Sequence, residues 1–321
     1  MTDARDPDVR RAAAILRAGG LVAFPTETVY GLGAAARDAA ALARLYAVKG
    51  RPADHPVIVH LASADELGAW AADVPPAATA LAERFWPGPL TLVLRRAAGV
   101  PDAVTGGRDT VGLRVPDQPL ALALLRELGD GIAAPSANRF GAVSPTTAEH
   151  VRASLGDDVD LVLDGGPCAI GVESTIVDLS DPGVPRLLRS GGVSADELAA
   201  VLGSLPEPDR GPSRAPGMLA AHYAPAARVE LCADGAALAA RVREVGGPAG
   251  VILPAGVAAD LPNAAVVLAR PDDAGAYAHD LYALLREADE RGLAVVLAVP
   301  PDPEGVGLAV RDRLSRAAAA G

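Results

Sequence analysis

Lysine is nearly missing from this sequence. Of 29 basic residues in 321, only Lys49 is a lysine and the remaining 28 are arginine. Cysteine is almost as scarce. Cys168 and Cys232 are the only two, which excludes a disulfide scaffold or a cysteine-rich zinc module. Aromatic residues make up 3% of the chain, too few for a nucleic-acid surface built on stacking. Positive charge is in deficit throughout. There are 18 basic and 25 acidic residues up to residue 205, and 11 and 15 after it, so neither half binds nucleic acid by bulk charge. No uncharged run is long enough to span a membrane. The first residues lack the apolar core of a signal peptide. The expectation is a cytoplasmic protein without membrane attachment or stable nucleic-acid binding.

What is present is apolar material. Half the residues are hydrophobic, and the length suggests two domains. In residues 1–205, short apolar runs alternate with helical patterns. Leu21–Phe24, Val57–Leu61, Leu90–Leu94, Val111–Val115, Ile132–Ala134, Leu161–Leu163, Ser174–Leu179 and Arg186–Leu188 read as strands. Helices are expected after Asp38 to about Lys49, over Ala77–Trp86 and Leu120–Leu128, from near Pro145, and from the capping box at Ser194–Glu197. The uneven spacing predicts a twisted α/β sheet rather than a regular βαβ repeat. Residues 206–227 hold five prolines and two glycines and read as a linker. Residues 228–321 alternate strand and helix in simple order, as in a small Rossmann-like, doubly wound α/β domain. They carry neither GxGxxG nor a Walker A sequence.

Polar residues cluster at strand ends, where open α/β sheets place ligands. Pro25–Gly33 brings two hydroxyls, a carboxylate and two glycines, which a capped turn would also explain. Lys49 and Arg51 lie at a helix C-terminus. The helix dipole alone would favour cations there, but the pair would also suit a polyphosphate clamp, with His55 close by. His60 sits inside an apolar strand, where a satisfied core histidine is the plainer account. Alternation puts Thr110, Gly112 and Arg114 on one strand face, and an arginine there needs an anionic partner. Pro135–Asn138 and Ser144–Thr147 supply hydroxyls and a helix N-terminus that could hold phosphate or merely cap. Glu173–Asp178 and Arg189 add two more hydroxyls and a cation. With no cysteine nucleophile, metal-ligand pair or glycine loop, such a set suits the alignment of several anions better than covalent catalysis.

In order and over nearly 200 residues, these motifs resemble the YrdC-like family, in its two-domain threonylcarbamoyl-adenylate synthase form. The resemblance rests on Pro25–Gly33, Lys49–Pro52, Val57–Leu61, Trp86–Thr91, Gly112–Pro116, Ala134–Asn138, Glu173–Asp178 and Arg189–Gly192. Ala215–Met218 and His222–Pro225 extend it through the linker; the C-terminal domain matches mainly by position and pattern. The resemblance implies a YrdC-like mixed sheet joined by the linker to the second domain. It also implies the reaction of L-threonine, bicarbonate and ATP to threonylcarbamoyl-AMP and pyrophosphate, feeding a tRNA threonylcarbamoyl-transfer machinery.

By motif, Thr28, His60, Arg114, Ser174 and the backbone of Ala134 form the threonine pocket, with Arg114 on the carboxylate. The resemblance also implies that Lys49 and Arg51 carry the catalytic charge. They line the ATP side with His55, Thr110, Ser136, Asn138, Ser144, Arg189 and the lid residue Tyr223. His55 stands where the family often has asparagine. Magnesium is implied by ATP, without a legible ligand set. Two rivals stand beside this reading. One is a non-catalytic RNA-binding YrdC-like module. The other is the carbamoyl-transfer protein of hydrogenase maturation, whose zinc-finger cysteines two cysteines cannot supply.

Overall fold

The computed structural model describes residues 6–181, 184–203 and 223–320. Most of the expected linker, including Ala215–Met218 and His222, lies outside the described residues. The chain divides into two compact units.

Among the described residues, the first unit contains nine strands: β1 (Val22–Phe24), β2 (Gly31–Ala35), β3 (Ile58–His60), β4 (Leu90–Arg95), β5 (Thr110–Arg114), β6 (Ile132–Ala133), β7 (Leu161–Val162), β8 (Thr175–Asp178) and β9 (Arg186–Arg189). They form one mixed sheet in the order β7-β1-β2-β6-β3-β5-β4-β8-β9. The parallel pairs are β1–β7, β3–β5 and β4–β8, and the others are antiparallel. One face is apolar across its width, with Leu32, Val59, Leu92, Leu113 and Val177 in a single buried cluster. On the other face, Val22, Phe24 and Ile132 pack with Val9, Leu16 and Leu124 from the helices Pro7–Arg17 and Pro119–Leu128. That helix pair covers the β1–β2–β6 part. The β3–β5–β4–β8 part carries only a small apolar cluster, Ile58, Val93, Ile176 and Leu188, beside a row of polar side chains.

Local signals held where capping chemistry was explicit. Asp38 accepts from the backbone N–H groups of Ala40 and Ala41 and opens the helix Ala39–Lys49; Gly50, left-handed at φ 65°, closes it. Ser194 and Glu197 form the expected reciprocal capping box. Two differences matter. Gly31–Ala35 is a strand, not the tail of a turn. The helix expected from Pro145 begins at Ala148, capped by Thr147. The Pro145 carbonyl accepts from Tyr30 and the Thr146 carbonyl from Cys168, so that backbone is spent on neighbouring segments instead of a first helical turn.

The second unit comprises Gly141–Ser144, Ile170–Val172 and the described part of Leu219–Gly321. Its strands β10 (Arg228–Leu231), β11 (Ala249–Ile252), β12 (Ala265–Ala269) and β13 (Val295–Ala298) are all parallel, in the order β10-β13-β11-β12. The helices Gly235–Val245 and Ala274–Glu290 join β10 to β11 and β12 to β13, the expected α/β pattern, while β11 and β12 are joined without a helix. The two short segments fall inside the 1–205 range expected to form the first domain. Ala142 bridges Ala224, and Arg286 donates to the Val143 carbonyl. No helix among the described residues is long and apolar enough to cross a membrane.

Candidate active site

Register builds a polar row across the β3–β5–β4–β8 face. His60 lies beside Arg114, and Ile58 beside Gly112. A side chain on Gly112 would meet Thr91 and Ile58 at 3.5 and 3.6 Å, so these three positions share a face. Thr110 and Gly112 are half-buried, while Val111 and Leu113 are fully buried on the opposite side. The alternation expected for Thr110, Gly112 and Arg114 is therefore present.

Arg114 is 4% exposed. Its Nη2 lies 2.7 Å from Oε1 of Glu27, itself buried, and its Nε donates to the Gly88 carbonyl at 3.2 Å. The anionic partner required by a strand arginine is thus Glu27, from the loop after β1. His60 meets Phe24 edge-on at 5.6 Å. Burial, and after it the Arg114 guanidinium, pushes its imidazole down to about 3, so the ring is neutral. Ser174 shares a 2.8 Å hydrogen bond with Thr91. Arg189 donates to the Ser174 carbonyl at 3.0 Å and to its hydroxyl at 3.1 Å. Thr28 shares a 2.8 Å hydrogen bond with Thr26.

A second group gathers around Lys49. The helix ends with this side chain turned inward and 1% exposed. Its Nζ donates to the carbonyls of Ser136 and Asn138 at 2.7 and 2.8 Å, with Asn138 Oδ1 at 3.5 Å. Burial, then the nearby Arg51, holds the ammonium well below the usual lysine range, partly opposed by Glu173. Lys49 thereby pins the Pro135–Asn138 loop, which is also tied to the first cluster. Leu32 donates to Pro135, Ala137 to Tyr30, and Ala134 to Ile58. Arg51 donates to the Pro56 carbonyl at 2.9 Å and lies 5.9 Å from the ring of Phe140, which also lies 5.7 Å from His55. Burial, then Arg51, lowers the His55 pKa.

Thr28, Lys49, Arg51, His55, His60, Thr110, Arg114, Ala134, Ser136, Asn138, Ser174 and Arg189 all lie in the first unit. Ser144 and Tyr223 belong to the second unit. There Tyr223, at φ 64°, stacks on Tyr282 at 5.7 Å and lies 5.2 Å from the Arg313 guanidinium. Glu27, Thr91 and Phe140 were not among the expected site residues. The first two lay inside quoted motifs, and the demand for a partner to Arg114 was the signal that could have singled out Glu27. Among the described residues, no group of three or more His, Cys, Asp or Glu could hold a metal ion.

Comparison with known proteins gives this geometry a family. The family described as "Telomere recombination", which spans Sua5, YciO and YrdC proteins, matches residues 14–191. "Threonylcarbamoyl-AMP synthase, C-terminal domain" matches residues 193–319. The chain belongs to the threonylcarbamoyl-AMP synthase family. It is 42% identical to the synthase of Pyrococcus abyssi over 96% of this chain and 93% of that protein. It is also 42% identical to that of Bacillus subtilis, over 98% and 93%. A crystal structure of P. abyssi Sua5 complexed with L-threonine superposes with a TM-score of 0.88 at 42% identity, covering 97% of this chain and 94% of that one.

Proposed function

We propose that this protein makes threonylcarbamoyl-AMP and pyrophosphate from L-threonine, bicarbonate and ATP, for a downstream tRNA threonylcarbamoyl-transfer machinery. The observation that carries the reading is the buried row of Arg114, His60 and Ser174 beside a small apolar cluster on the β3–β5–β4–β8 face, with the cations Lys49 and Arg51 in the same unit. In this reading Arg114 takes the threonine carboxylate. Thr28, neutral His60 and Ser174 supply uncharged groups for the hydroxyl. The amine attacks the bicarbonate carbon and water leaves, giving a carbamate. A carbamate oxygen then attacks the α-phosphorus in line, and pyrophosphate departs. No protein nucleophile is required, so alignment and charge neutralisation supply most of the rate. Arg51 faces the phosphates. Lys49 acts largely by holding the Ser136–Asn138 backbone in place.

Magnesium accompanying the triphosphate would neutralise phosphate charge. The described residues do not fit a dedicated magnesium site, and no step is assigned to one.

The test is pyrophosphate release from ATP. Release should require both threonine and bicarbonate. A pocket built to bond a hydroxyl should favour threonine over valine by roughly ten-thousandfold, and over serine by less. Release independent of threonine, or equal with valine, refutes the proposal. RNA retardation in a gel without threonine-dependent release would favour an RNA-binding module.

A further inference from the structure

Glu27 is 7% exposed, and neither carboxylate oxygen makes a hydrogen bond. Arg114 Nη2, 2.7 Å from Oε1, makes none either, because the approach is an ion pair at poor hydrogen-bond angles. Nδ1 of His60, beside Arg114 in the sheet, is likewise unpartnered. A buried ion pair that serves only as a strut normally has its remaining lone pairs and N–H groups satisfied, since each orphan costs its desolvation. Here the orphans are complementary: two acceptor oxygens on Glu27 and one donor on Arg114.

An α-amino acid zwitterion carries the mirror-image set. Its carboxylate accepts and its ammonium donates. Seated against the pair, it buries no net charge and gives each orphan a partner. The surroundings leave this balance intact. Cys168 also feels the Glu27 charge: burial first, then that charge, pushes its thiol up to about 12, so it adds no second anion. The ammonium of Lys49 is spent on backbone carbonyls. His60 is neutral and suited to an uncharged part of the ligand.

We propose that Glu27 is a substrate-recognition residue: its carboxylate accepts the α-ammonium of the amino-acid substrate while Arg114 holds the carboxylate, so the buried pair reads the substrate as a zwitterion. This rests on the function proposed above and goes beyond it by assigning the group that reads the amine. It makes the pocket selective against carboxylic acids without an amine, which would meet Arg114 but leave Glu27 charged and unpartnered.

The experiment is calorimetric titration of the full chain, unsubstituted and Glu27→Gln. The ligands are L-threonine and 2,3-dihydroxybutanoate, in which a hydroxyl replaces the ammonium. The unsubstituted chain should bind threonine and take the hydroxy acid only at much higher concentration. Glu27→Gln should bind threonine roughly 10- to 100-fold more weakly, as for loss of a charged hydrogen bond. It should bind the hydroxy acid at least as tightly as before, because Arg114 is no longer neutralised. Retained hydroxy-acid binding separates lost recognition from a lost pocket. Threonine affinity changed by less than about twofold overturns the assignment. So does equal loss for both ligands, which would make Glu27 a strut. Should Glu27→Gln not fold, Glu27→Asp keeps the charge and shortens the reach. A smaller loss for threonine alone supports the proposal, and an unchanged affinity overturns it. An unsubstituted chain that binds no threonine overturns the function proposed above, and this assignment with it.

Discussion

Mild acid should weaken the first unit, and His60 should account for much of the effect. Its ring is 4% exposed. Burial, then Arg114, lowers its pKa from the ordinary 6.5 to about 3, with the nearby backbone of Ile132 and Ile58 opposing only in part. Well above pH 6.5 the ring is neutral in folded and unfolded chains alike and adds no pH dependence. Between 6.5 and about 3 the unfolded chain takes up a proton that the folded chain refuses, so stability falls as pH falls. The whole displacement is worth about 5 kcal/mol, of which about 2 kcal/mol is lost by about pH 5, where most carboxylates are still ionised. Trp70 and Trp86, the only tryptophans, both lie in the first unit, so their fluorescence during urea unfolding follows that unit. The loss of unfolding free energy between about pH 7.5 and about pH 5 should be about 2 kcal/mol larger in the unsubstituted chain than in His60→Asn. His55 shifts in the same direction, but it is common to both proteins and cancels. An identical acid loss in the two proteins, or none in the unsubstituted chain, refutes the buried neutral ring.

Three further outcomes follow from the packing. Lys49→Met removes the buried Nζ donor from the carbonyls of Ser136 and Asn138 and should abolish most pyrophosphate release, at a stability cost of about 1–3 kcal/mol. Near-normal turnover would remove Lys49 from the site. Gly191→Ala places a methyl 2.3 Å from backbone atoms of Glu173, Ser174 and Thr175. It should cost about 1–3 kcal/mol and raise the threonine KM as Ser174 is displaced, whereas an unchanged melting temperature and KM would show that the backbone yields freely. Burial raises the thiol pKa of both cysteines, Cys168 to about 12. Iodoacetamide at mildly alkaline pH should therefore leave both unmodified until urea is added, as mass spectrometry would report; rapid labelling of Cys168 in the folded chain contradicts its burial.

Local chemistry was readable along the chain. Asp38, Gly50 and Ser194 act within a few residues of their own backbone, so their helix ends followed from residue type and spacing. Strand alternation likewise determined which face Thr110, Gly112 and Arg114 share, because a pleated strand has period two whatever lies beside it. The ordered motifs of the first 200 residues were enough to indicate the family.

Partnership was not readable. Glu27 and Arg114 are 87 positions apart and meet only because the sheet order carries the loop after β1 towards the end of β5. Lys49 reads as a cation at a helix end, and only the fold turns it inward onto the Ser136 and Asn138 carbonyls. Pro145 reads as a first helical residue, yet its carbonyl is taken by Tyr30. In each case a long-range hydrogen bond or ion pair outweighs a local preference, since leaving a buried polar group unpaired costs more than a cap or a favourable dipole returns.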